Sequence, residues 1–470
     1  MTKPLETASA ALARISAAPV PDDAAAAAAD RVADCLALCL AARNRAEVAA
    51  VRGHVEEMSG TRTSAAVGGF RVPAVFAAFV NGTAAHALGL DDFHAPTDMH
   101  PMAVVVPAAL AAAEAVAASG PELLRAVLVG YEIACRLGRT SVVGTMYRRG
   151  FHPTSVFGTV AAAAAAATVL GLTAPQQAHA MAIAATRAAG LVHFGPAATT
   201  KPLQAGWAAS AGVGAALLAR RDLQGPADML EAPGGLLWAV AGEAAYDTAP
   251  LFAPLSRWTV HDVAYKPYAH STDFHSAVDT AIDLVREHRI APQDIEHIDV
   301  TLPPAMAAVL AASFDRQRRP AGTREAQRSL PFSLGAALLK APDVPSSDTF
   351  YEAFAPDRLA DPGVLRLAAL VGIGPEAAAG GSPASRSSAS VSIVTRDGRT
   401  VVGRRRAHRG SPESPFTRTE FVMRNVGLAT PRSDIVALSG RLPSMTNVTE
   451  LADVLLEPMQ WAGERPNGGR

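Results

Sequence analysis

The chain has 470 residues, which is enough for about two or three domains with a sizeable hydrophobic core. Hydrophobic residues make up 49% of it but aromatic residues only 5%, so its apolar content is mostly aliphatic, and the many alanines favour closely packed helices. With 42 basic and 43 acidic residues, the net charge of -1 gives no indication of a nucleic-acid partner or an anionic membrane surface.

Helical periodicity dominates the chain up to about residue 255. Residues 22–52 carry an apolar stripe at helical spacing, and Ala-rich apolar segments of the same kind follow. We predict further helices over residues 71–90, 101–119, 121–138, 156–171, 175–189 and 204–220. No alternation typical of a strand is visible in this part, which predicts an all-helical domain over residues 1–260.

The pattern changes near residue 260. After a predicted helix over residues 274–287, residues 298–302 alternate between apolar and polar, as in a half-buried strand. Residues 389–395 and 400–405 alternate in the same way on either side of an Asp-Gly pair, which is typical of a two-residue hairpin turn. We therefore predict a small α+β domain over residues 261–411.

The C-terminal part returns to helical patterns over residues 416–426, 431–440 and 446–457. A Gly- and Ser-rich stretch over residues 380–390 predicts a surface loop. We expect residues 412–470 to pack back on the helical domain. The predicted fold is thus mainly α, a large all-helical domain with a smaller α+β domain inserted in it.

Cysteine usage and the chain start bear on location and on metal binding. Cys35, Cys39 and Cys135 are too few for a disulfide framework or a four-cysteine zinc site. Cys35 and Cys39 share one face of a predicted helix, which favours a core position for both. No hydrophobic leader follows Met1, and no segment has the apolar density of a membrane helix. We expect a cytoplasmic protein without a metal ion or a membrane partner.

The densest polar cluster lies between two Ala-rich helices and includes Asp91, Asp92, Thr97 and His100. Three interpretations remain open for it. Aspartate and histidine are metal ligands, although their spacing here matches no metal motif. A histidine with a pKa near neutrality can also move protons at a carbon acid. Alternatively, Asp92 or Thr97 caps a helix and the histidines lie on the surface.

Three further clusters could recognise an anion. His152 precedes Ser155 at a predicted helix start, where backbone amides attract anions. Lys201 lies in a loop of small residues, where its ammonium group could hold a carboxylate. The fourth cluster contains Lys266, Tyr268, His270 and His275. Each cluster also has a structural explanation: a capped helix, a lysine facing solvent, or a histidine in the core.

Common catalytic motifs are missing from the sequence. It has no P-loop, no dinucleotide-binding glycine motif after a strand and no G-x-S-x-G elbow. Nucleotide-dependent chemistry and serine hydrolysis of the α/β type therefore have no support.

The four clusters occur in an order that carries a family resemblance. The segments that carry it are residues 81–88, 91–92 with 100–101, 150–154, 200–203 and 329–332. Together they resemble the MmgE/PrpD family, which includes 2-methylcitrate dehydratase, cis-aconitate decarboxylase and iminodisuccinate epimerase. The resemblance extends over nearly the whole chain and implies the same division into a helical domain and an inserted α+β domain.

The resemblance also implies an active site and an assembly. It implies a homodimer that needs neither metal nor organic cofactor, with the active site in the cleft between the two domains. It implies that His100 and His152 are the catalytic histidines, one acting as base and the other as acid. It also implies a cleft lysine at Lys201 and, more loosely, a second basic contact at Lys266.

The chain departs from the family pattern at three positions. Where the family often reads Leu-Asp-Phe-Asp-Asp-Thr, residues 88–93 have Gly89 and Phe93 in place of the first acid and the threonine. Phe332 stands where family members often carry a tyrosine. These changes favour a substrate other than 2-methylcitrate or cis-aconitate.

We therefore predict a cofactor-independent lyase of the dehydratase type that acts on a small carboxylate. It would remove a proton next to a carboxylate and expel a leaving group, with cations stabilising the negative charge. Asp91 and Asp92 would orient a histidine or contact the substrate. The predicted substrate contacts are Lys266, Tyr268, His275, Thr97 and Phe332. An isomerase or epimerase, a decarboxylase, and a binding paralogue without catalysis remain the alternatives.

Overall fold

The computed structural model describes residues 6–58, 60–194, 199–341, 343, 348–375, 388–429 and 434–456. Within these residues the chain is mainly α-helical, with a two-stranded sheet near its start and a four-stranded sheet in its second half. The predicted fold class, a large helical part with a smaller α+β part, is therefore confirmed. Among the described residues, no helix is long and apolar enough to cross a membrane.

The first half of the chain is almost entirely helical. Its helices are α1 (Ala8–Ala13), α2 (Asp22–Ala42), α3 (Ala46–Glu57), α4 (Ala74–Ala87), α5 (Met102–Ala115), α6 (Gly120–Gly138), α7 (Val143–Arg148), α8 (Pro153–Val169), α9 (Ala174–Ala185), α10 (Thr200–Ala219), α11 (Leu236–Ala241) and α12 (Ala249–Phe252). Two short strands, β1 (Ser64–Ala66) and β2 (Phe70–Val72), form an antiparallel pair between α3 and α4.

The second half mixes helices and strands. Its helices are α13 (His275–Glu287), α14 (Pro304–Ala311), α15 (Phe314–Gln317), α16 (Thr323–Gln327), α17 (Leu330–Lys340), α18 (Pro362–Ala369), α19 (Arg418–Leu428), α20 (Ile435–Arg441) and α21 (Ala452–Leu455). Its strands are β3 (Ile295–Leu302), β4 (Val371–Pro375), β5 (Ala389–Thr395) and β6 (Thr400–Arg405). Short 3-10 helices occur at Arg14–Ala17, Ala95–Thr97, Thr259–Asp262, Thr272–Phe274, Pro292–Asp294, Tyr351–Phe354, Pro356–Arg358, Leu442–Ser444 and Val448–Leu451.

The central helix of the large core is α8, in which nearly every residue is buried. It packs against α5, α6, α9 and α10. Over residues 161–167 it presents only methyl groups, so the surrounding helices can approach it closely. Because neighbouring helices surround α8, it needs no polar face toward solvent, and its sequence is apolar all round.

Helices α4 and α10 cross at two glycines. A Cβ atom built on Gly82 would lie 3.0 Å from the Cα atom of Gly206, and one built on Gly206 would lie 2.4 Å from the carbonyl oxygen of Phe79. No larger residue fits at this crossing without a shift of one helix. The contact therefore fixes α10, whose first turn carries Lys201.

The four-stranded sheet has the order β4-β3-β5-β6. Strands β3 and β4 are parallel, whereas β3 pairs with β5, and β5 with β6, in antiparallel fashion. Ile298 lies opposite Val371 on one side and Ile393 on the other. Helix α13 covers β5 and β6 and packs against α17, and together they enclose a second hydrophobic core.

The described C-terminal segments lie away from this sheet. Helices α19 and α20 both pack on α2, and Phe421, Ile435 and Val448 belong to the large core of the first half. This arrangement is the one expected for an inserted α+β domain. The proposed domain boundaries at residues 260 and 411 stay predictions.

Several elements differ from the sequence-based expectation. The predicted helix over 22–52 is divided into α2 and α3, and the hairpin of β1 and β2 was not predicted because three-residue strands are too short to show alternation. Strand β4 was also missed, because two of its five residues are glycine and its last is proline. Most of the predicted loop over 380–390 lies outside the described residues.

Candidate active site

A cavity of about 770 Å³ lies between the first half of the chain and the α+β part. The first half contributes Gly89, Phe93, Asp98, His100, Tyr147, His152, Val192, His193, Phe194 and Lys201. The opposite wall includes Lys266, His270, Asp273, Arg316, Arg324, Glu325, Gln327 and Arg328. Five lysines and arginines thus face three acids among the lining residues, a balance of charge that favours an anion over a cation in the cavity.

His100 lies in the loop that leads into α5. Its Nδ1 is 2.7 Å from the backbone carbonyl oxygen of Asp92, and since a carbonyl only accepts, Nδ1 carries the hydrogen. The Asp91 carboxylate is 3.4 Å from the same nitrogen. Burial and then Lys266 hold the pKa of His100 well below its usual value. His100 is therefore a neutral imidazole whose Nε2 can accept a proton.

His152 is the N-cap residue of α8, and its side chain faces Gln204 of α10. Its Nδ1 is 3.1 Å from Oε1 of Gln204, whose Nε2 donates to the carbonyl of Leu191 at 2.7 Å. The amide oxygen therefore faces the imidazole, and Nδ1 of His152 carries the hydrogen. Burial and then Lys201 lower its pKa well below the usual range. The second histidine is thus also neutral, with Nε2 able to accept a proton.

A third histidine, His86, lies behind these two in the last turn of α4. Its ring centroid is 5.3 Å from that of His100 and 6.2 Å from that of His152. Its Nδ1 donates to the Asp91 carboxylate at 2.7 Å, and its buried Nε2 has no hydrogen-bond partner among the described residues. Burial lowers the pKa of His86 to about 4.

Asp91 stays ionised between two histidines. Burial by itself would raise its pKa, but His86 and His100 beside it bring that pKa below the usual value. Its side chain is fully buried and outside the cavity. Of the two roles predicted for Asp91, its position matches the orientation of a histidine and gives no direct contact with a ligand in the cavity.

The two predicted lysines both lie in the cavity wall. Lys266 donates through Nζ to the carbonyl oxygen of Gly89 at 3.1 Å. Lys201 makes no hydrogen bond or ion pair with the described residues, and burial followed by Arg324 lowers its pKa well below the usual value. Burial also lowers the pKa of Lys266, although Asp91 opposes that shift. The lowered pKa brings each ammonium group closer to losing its proton, and an anion bound beside it would stabilise the charged form.

The C-terminal helix α19 ties the two walls together through Arg424. Nε of Arg424 donates to the backbone carbonyl of Lys266 at 3.1 Å, and Nη2 donates to the backbone carbonyl of Leu90 at 3.0 Å. The same guanidinium forms a buried ion pair with Asp34 of α2. The loop that carries Asp91 and the segment that carries Lys266 are thereby held in a fixed relation.

Asp92 has a structural place. It accepts hydrogen bonds from the Tyr131 hydroxyl at 2.6 Å and from the backbone N–H of Met102 at 3.0 Å, and Arg31 lies 3.6 Å away. Burial raises its pKa to about 6. Its carboxylate therefore secures the start of α5 and does not line the cavity, and the predicted role of Asp92 at the substrate stays a prediction.

Four predicted substrate contacts also lie outside the cavity. Thr97 binds Nδ1 of His94 at 2.7 Å, and the Tyr268 hydroxyl donates to Asp279 at 2.7 Å. His275 is buried against His270 and His408, with ring centroids at 4.6 and 4.9 Å. The remaining one, Phe332, is fully buried against Phe354. All four side chains pack in the interior rather than in the cavity wall, so their role as ligand contacts stays a prediction without support from this geometry.

Other lining residues were missed from the sequence. Arg316, Arg324 and Arg328 lie on or beside two short helices, where a charge pattern is normally interpreted as a solvated surface. His86 was also missed as a site residue, although it lies within the segment 81–88 that carried the family resemblance. That motif was the sequence signal that could have indicated it. Among the described residues, no group of three or more His, Cys, Asp or Glu side chains is arranged to hold a metal ion.

Several proteins of known activity are similar to this chain in sequence. Cis-aconitate decarboxylase of Mus musculus is 36% identical over 240 residues, covering 50% of this chain and 49% of that protein. The Homo sapiens cis-aconitate decarboxylase is 34% identical over 280 residues, or 57% and 56%, and that of Aspergillus terreus is 29% identical over 287 residues, or 58% of each chain. The matched regions thus span between about half and three fifths of these relatives.

Matches to family domains extend further along the chain. Residues 7–249 match the MmgE/PrpD N-terminal domain, and residues 268–434 match the MmgE/PrpD C-terminal domain. The two matches meet at the cavity, because the first contains His100, His152 and Lys201 and the second contains the opposite wall from Ala269 onward. The chain therefore belongs to the MmgE/PrpD family.

Proposed function

We propose that this protein is a lyase that acts on a small carboxylate without a metal or an organic cofactor. The observation that carries the proposal is the content of one cavity. Two neutral imidazoles, His100 and His152, each have an Nε2 able to take a proton, and the amino groups of Lys201 and Lys266 line the same cavity from opposite walls. This is the set of groups needed to remove a proton next to a carboxylate and to stabilise the charge that results.

The acid and base roles follow from the pKa directions. A neutral imidazole accepts a proton from carbon, and the lowered pKa of Lys201 makes its ammonium group a readier proton donor than an exposed lysine. In a dehydration, the base takes the proton, the electron pair forms the double bond, and the departing hydroxide receives a proton and leaves as water. One of His100 and His152 acts as base, and the other histidine, once protonated, or Lys201 supplies the proton.

Decarboxylation is the second candidate, and the names of the curated relatives favour it. In that reaction the bond between carbon and carboxylate breaks, CO2 leaves, and the electron pair stays on carbon until an acid protonates it. The same cations would stabilise the negative charge, and the same acid would deliver the proton. The two reactions therefore differ in the bond that breaks, and decarboxylation needs the cations and the acid but no base.

The departures from the family pattern bear on the substrate. Gly89 and Phe93 both line the cavity, so an acid and a threonine are replaced in the wall itself. Phe332 lies outside the cavity, so the loss of a tyrosine there leaves the wall unchanged. We propose that the substrate differs from cis-aconitate near Gly89 and Phe93 and shares its carboxylate character.

A product-resolved assay tests the proposed function. Purified protein would be incubated with cis-aconitate, with hydroxylated tricarboxylates and with shorter dicarboxylates, and the products identified by mass spectrometry and NMR. Loss of CO2 would establish decarboxylation, loss of water dehydration, and exchange of a carbon-bound hydrogen with solvent deuterium without net loss would indicate an isomerase. Turnover that persists in both His100→Ala and His152→Ala would contradict the proposal, as would binding without turnover throughout the panel.

We also propose that the protein is a homodimer. Trp207 and Leu218 lie three turns apart on one face of α10 and are 51% and 45% exposed, so this face presents apolar area at the surface. A second copy of the chain covering this face would bury both residues. Light scattering on the purified protein gives the mass directly, and a monomer at micromolar concentration would contradict the proposal.

A further inference from the structure

The most cationic part of the cavity has no role in the mechanism above. Arg324 of α16 lies in the wall with Lys201, and neither makes an ion pair with an acid among the described residues. The guanidinium carbon of Arg324 lies 4.9 Å from the centroid of the Phe194 ring, and Phe194 contacts the edge of His152 at 5.4 Å between ring centroids. Arg324 thus reaches across the cavity from the α+β part and lies close to His152, with the Phe194 ring in contact with both.

The hydrogen-bonding capacity of Arg324 is unused. Its Nε is buried and has no hydrogen-bond partner among the described residues. A buried N–H donor without an acceptor costs free energy, and an acceptor oxygen of a ligand in the cavity would satisfy it. A carboxylate suits it, because the planar fork of arginine matches the two oxygens of a carboxylate.

The surrounding charges also require an anion at this position. Burial, and then Arg328, lower the pKa of Arg324 to about 10, and Arg324 in turn is the largest electrostatic contribution that lowers the pKa of Lys201. Two buried cations that repel each other are stabilised together when one anion lies between them. Among the described residues, the Glu325 carboxylate in the same wall accepts the backbone N–H of Ala321 and forms no ion pair with either group.

The departures from the family pattern increase the same imbalance. Gly89 removes a carboxylate from the wall near Lys266, and Phe93 removes a hydroxyl next to His100, whose ring centroid lies 5.4 Å from that of Phe93. Among the described residues, the carbonyl oxygen of Gly89 is the hydrogen-bond partner of the Lys266 ammonium group. The cavity has one cationic anchor beside His100 and a second beside His152.

We propose that Arg324 and Lys201 form a second carboxylate subsite, so that the substrate carries a carboxylate there in addition to the one held by Lys266. Arg324 is then the residue that selects di- and tricarboxylates over monocarboxylates. This inference rests on the proposed function as a lyase of small carboxylates. It goes beyond it in assigning the subsite and the charge of the substrate.

Calorimetric titration of the purified full-length protein tests the subsite without turnover. The probes are tricarballylate, succinate and acetate, which carry three, two and one carboxylates, together with inorganic sulfate. The variants are Arg324→Gln and Arg324→Lys, and the matched control is Arg358→Gln, which removes an exposed arginine paired with Asp357 at the surface. Thermal unfolding of each variant shows whether it is folded.

The expected result is a loss of discrimination. Arg324→Gln should weaken tricarballylate and succinate binding about tenfold to a hundredfold and leave acetate binding nearly unchanged, since one charge-assisted hydrogen-bonded contact is lost. Arg324→Lys should retain part of the affinity, and Arg358→Gln should match the wild type. Sulfate should bind more weakly than succinate.

Three results would overturn the subsite: equal weakening of all three carboxylates by Arg324→Gln, unchanged binding in both Arg324 variants, or no binding of any carboxylate by the wild type. The proposed function fails separately. If tricarballylate binding depends on Arg324 but no carboxylate is turned over, the subsite stands and the lyase activity is wrong. If turnover is found but Arg324→Gln keeps the wild-type preference for tricarboxylates, the lyase stands and the subsite is wrong.

Discussion

The glycine crossing of α4 and α10 makes a prediction about what holds Lys201 in place. In Gly206→Ala the new methyl carbon would lie 2.4 Å from the Phe79 carbonyl oxygen and 2.3 Å from Oγ1 of Thr83. The hydroxyl can rotate away, but the carbonyl belongs to the α4 backbone, so the helices must separate by about 1 Å to restore ordinary contact. Overpacking of this kind costs about 1–3 kcal/mol of the free energy of unfolding.

Gly214 provides a matched control on the same helix. A Cβ atom at Gly214 meets nothing within 4 Å, so Gly214→Ala adds a methyl group without a clash. Alanine is the better helix former by about 0.5–1 kcal/mol, and this variant should therefore be more stable than the wild type. The same substitution is thus expected to have opposite signs at two positions two turns apart.

Chemical denaturation followed by circular dichroism measures both effects. The denaturation midpoint should fall for Gly206→Ala and rise slightly for Gly214→Ala, and succinate affinity should drop only in the first, because α10 shifts with Lys201. A Gly206→Ala variant as stable as the wild type would show that the crossing is looser than described, and that the glycines do not position α10.

Three further predictions concern the histidines, a buried acid and metal dependence. His100→Ala and His152→Ala should each lower kcat about 10²–10⁴-fold with the fold intact. In the double variant the loss of kcat should be smaller than the product of the two single losses. Full specific activity in either single variant would remove that histidine from the mechanism. Burial raises the pKa of Glu114 to about 7. Between the ordinary pKa of a glutamate and about 7, the folded state therefore binds more protons than the unfolded state. The free energy of unfolding consequently falls as pH rises through this window. Glu114→Gln, which keeps an acceptor for the Ala65 N–H, should therefore gain stability relative to the wild type as pH rises from about 5 to 8, by on the order of 1–3 kcal/mol; a pH-independent difference would contradict this. Turnover should survive exhaustive chelation, and stoichiometric zinc or iron lost together with activity would show a metal requirement.

The sequence alone determined the features that depend on near neighbours. Amphipathic and Ala-rich periodicity predicted most helices of the first half within a few residues, and alternation predicted β3, β5 and β6, because each pattern reflects burial along a single element. The order of short motifs was sufficient to identify the family. It also singled out His100, His152, Lys201 and Lys266, which the structure brings together around one cavity.

Only the tertiary structure decided which polar residues face the cavity. Four side chains with the residue types of a binding site pack in the interior instead: Tyr268, His275, Thr97 and Phe332. The sequence could not show this, because helix periodicity distinguishes a buried face from an exposed one but does not distinguish a core from a cavity. For the same reason the sequence could not distinguish Asp91, which bridges two histidines, from Asp92, which secures the start of α5.

Arg324 shows the limit most clearly. Its pattern on a short charged helix is that of a solvated surface, and its position beside Lys201 results from packing between segments that are far apart in the chain. The net charge of the cavity wall depends on which segments pack together around it. That packing depends on contacts such as the Gly82–Gly206 helix crossing and the hydrogen bonds of Arg424. These contacts are non-local, so no periodicity within one segment encodes them.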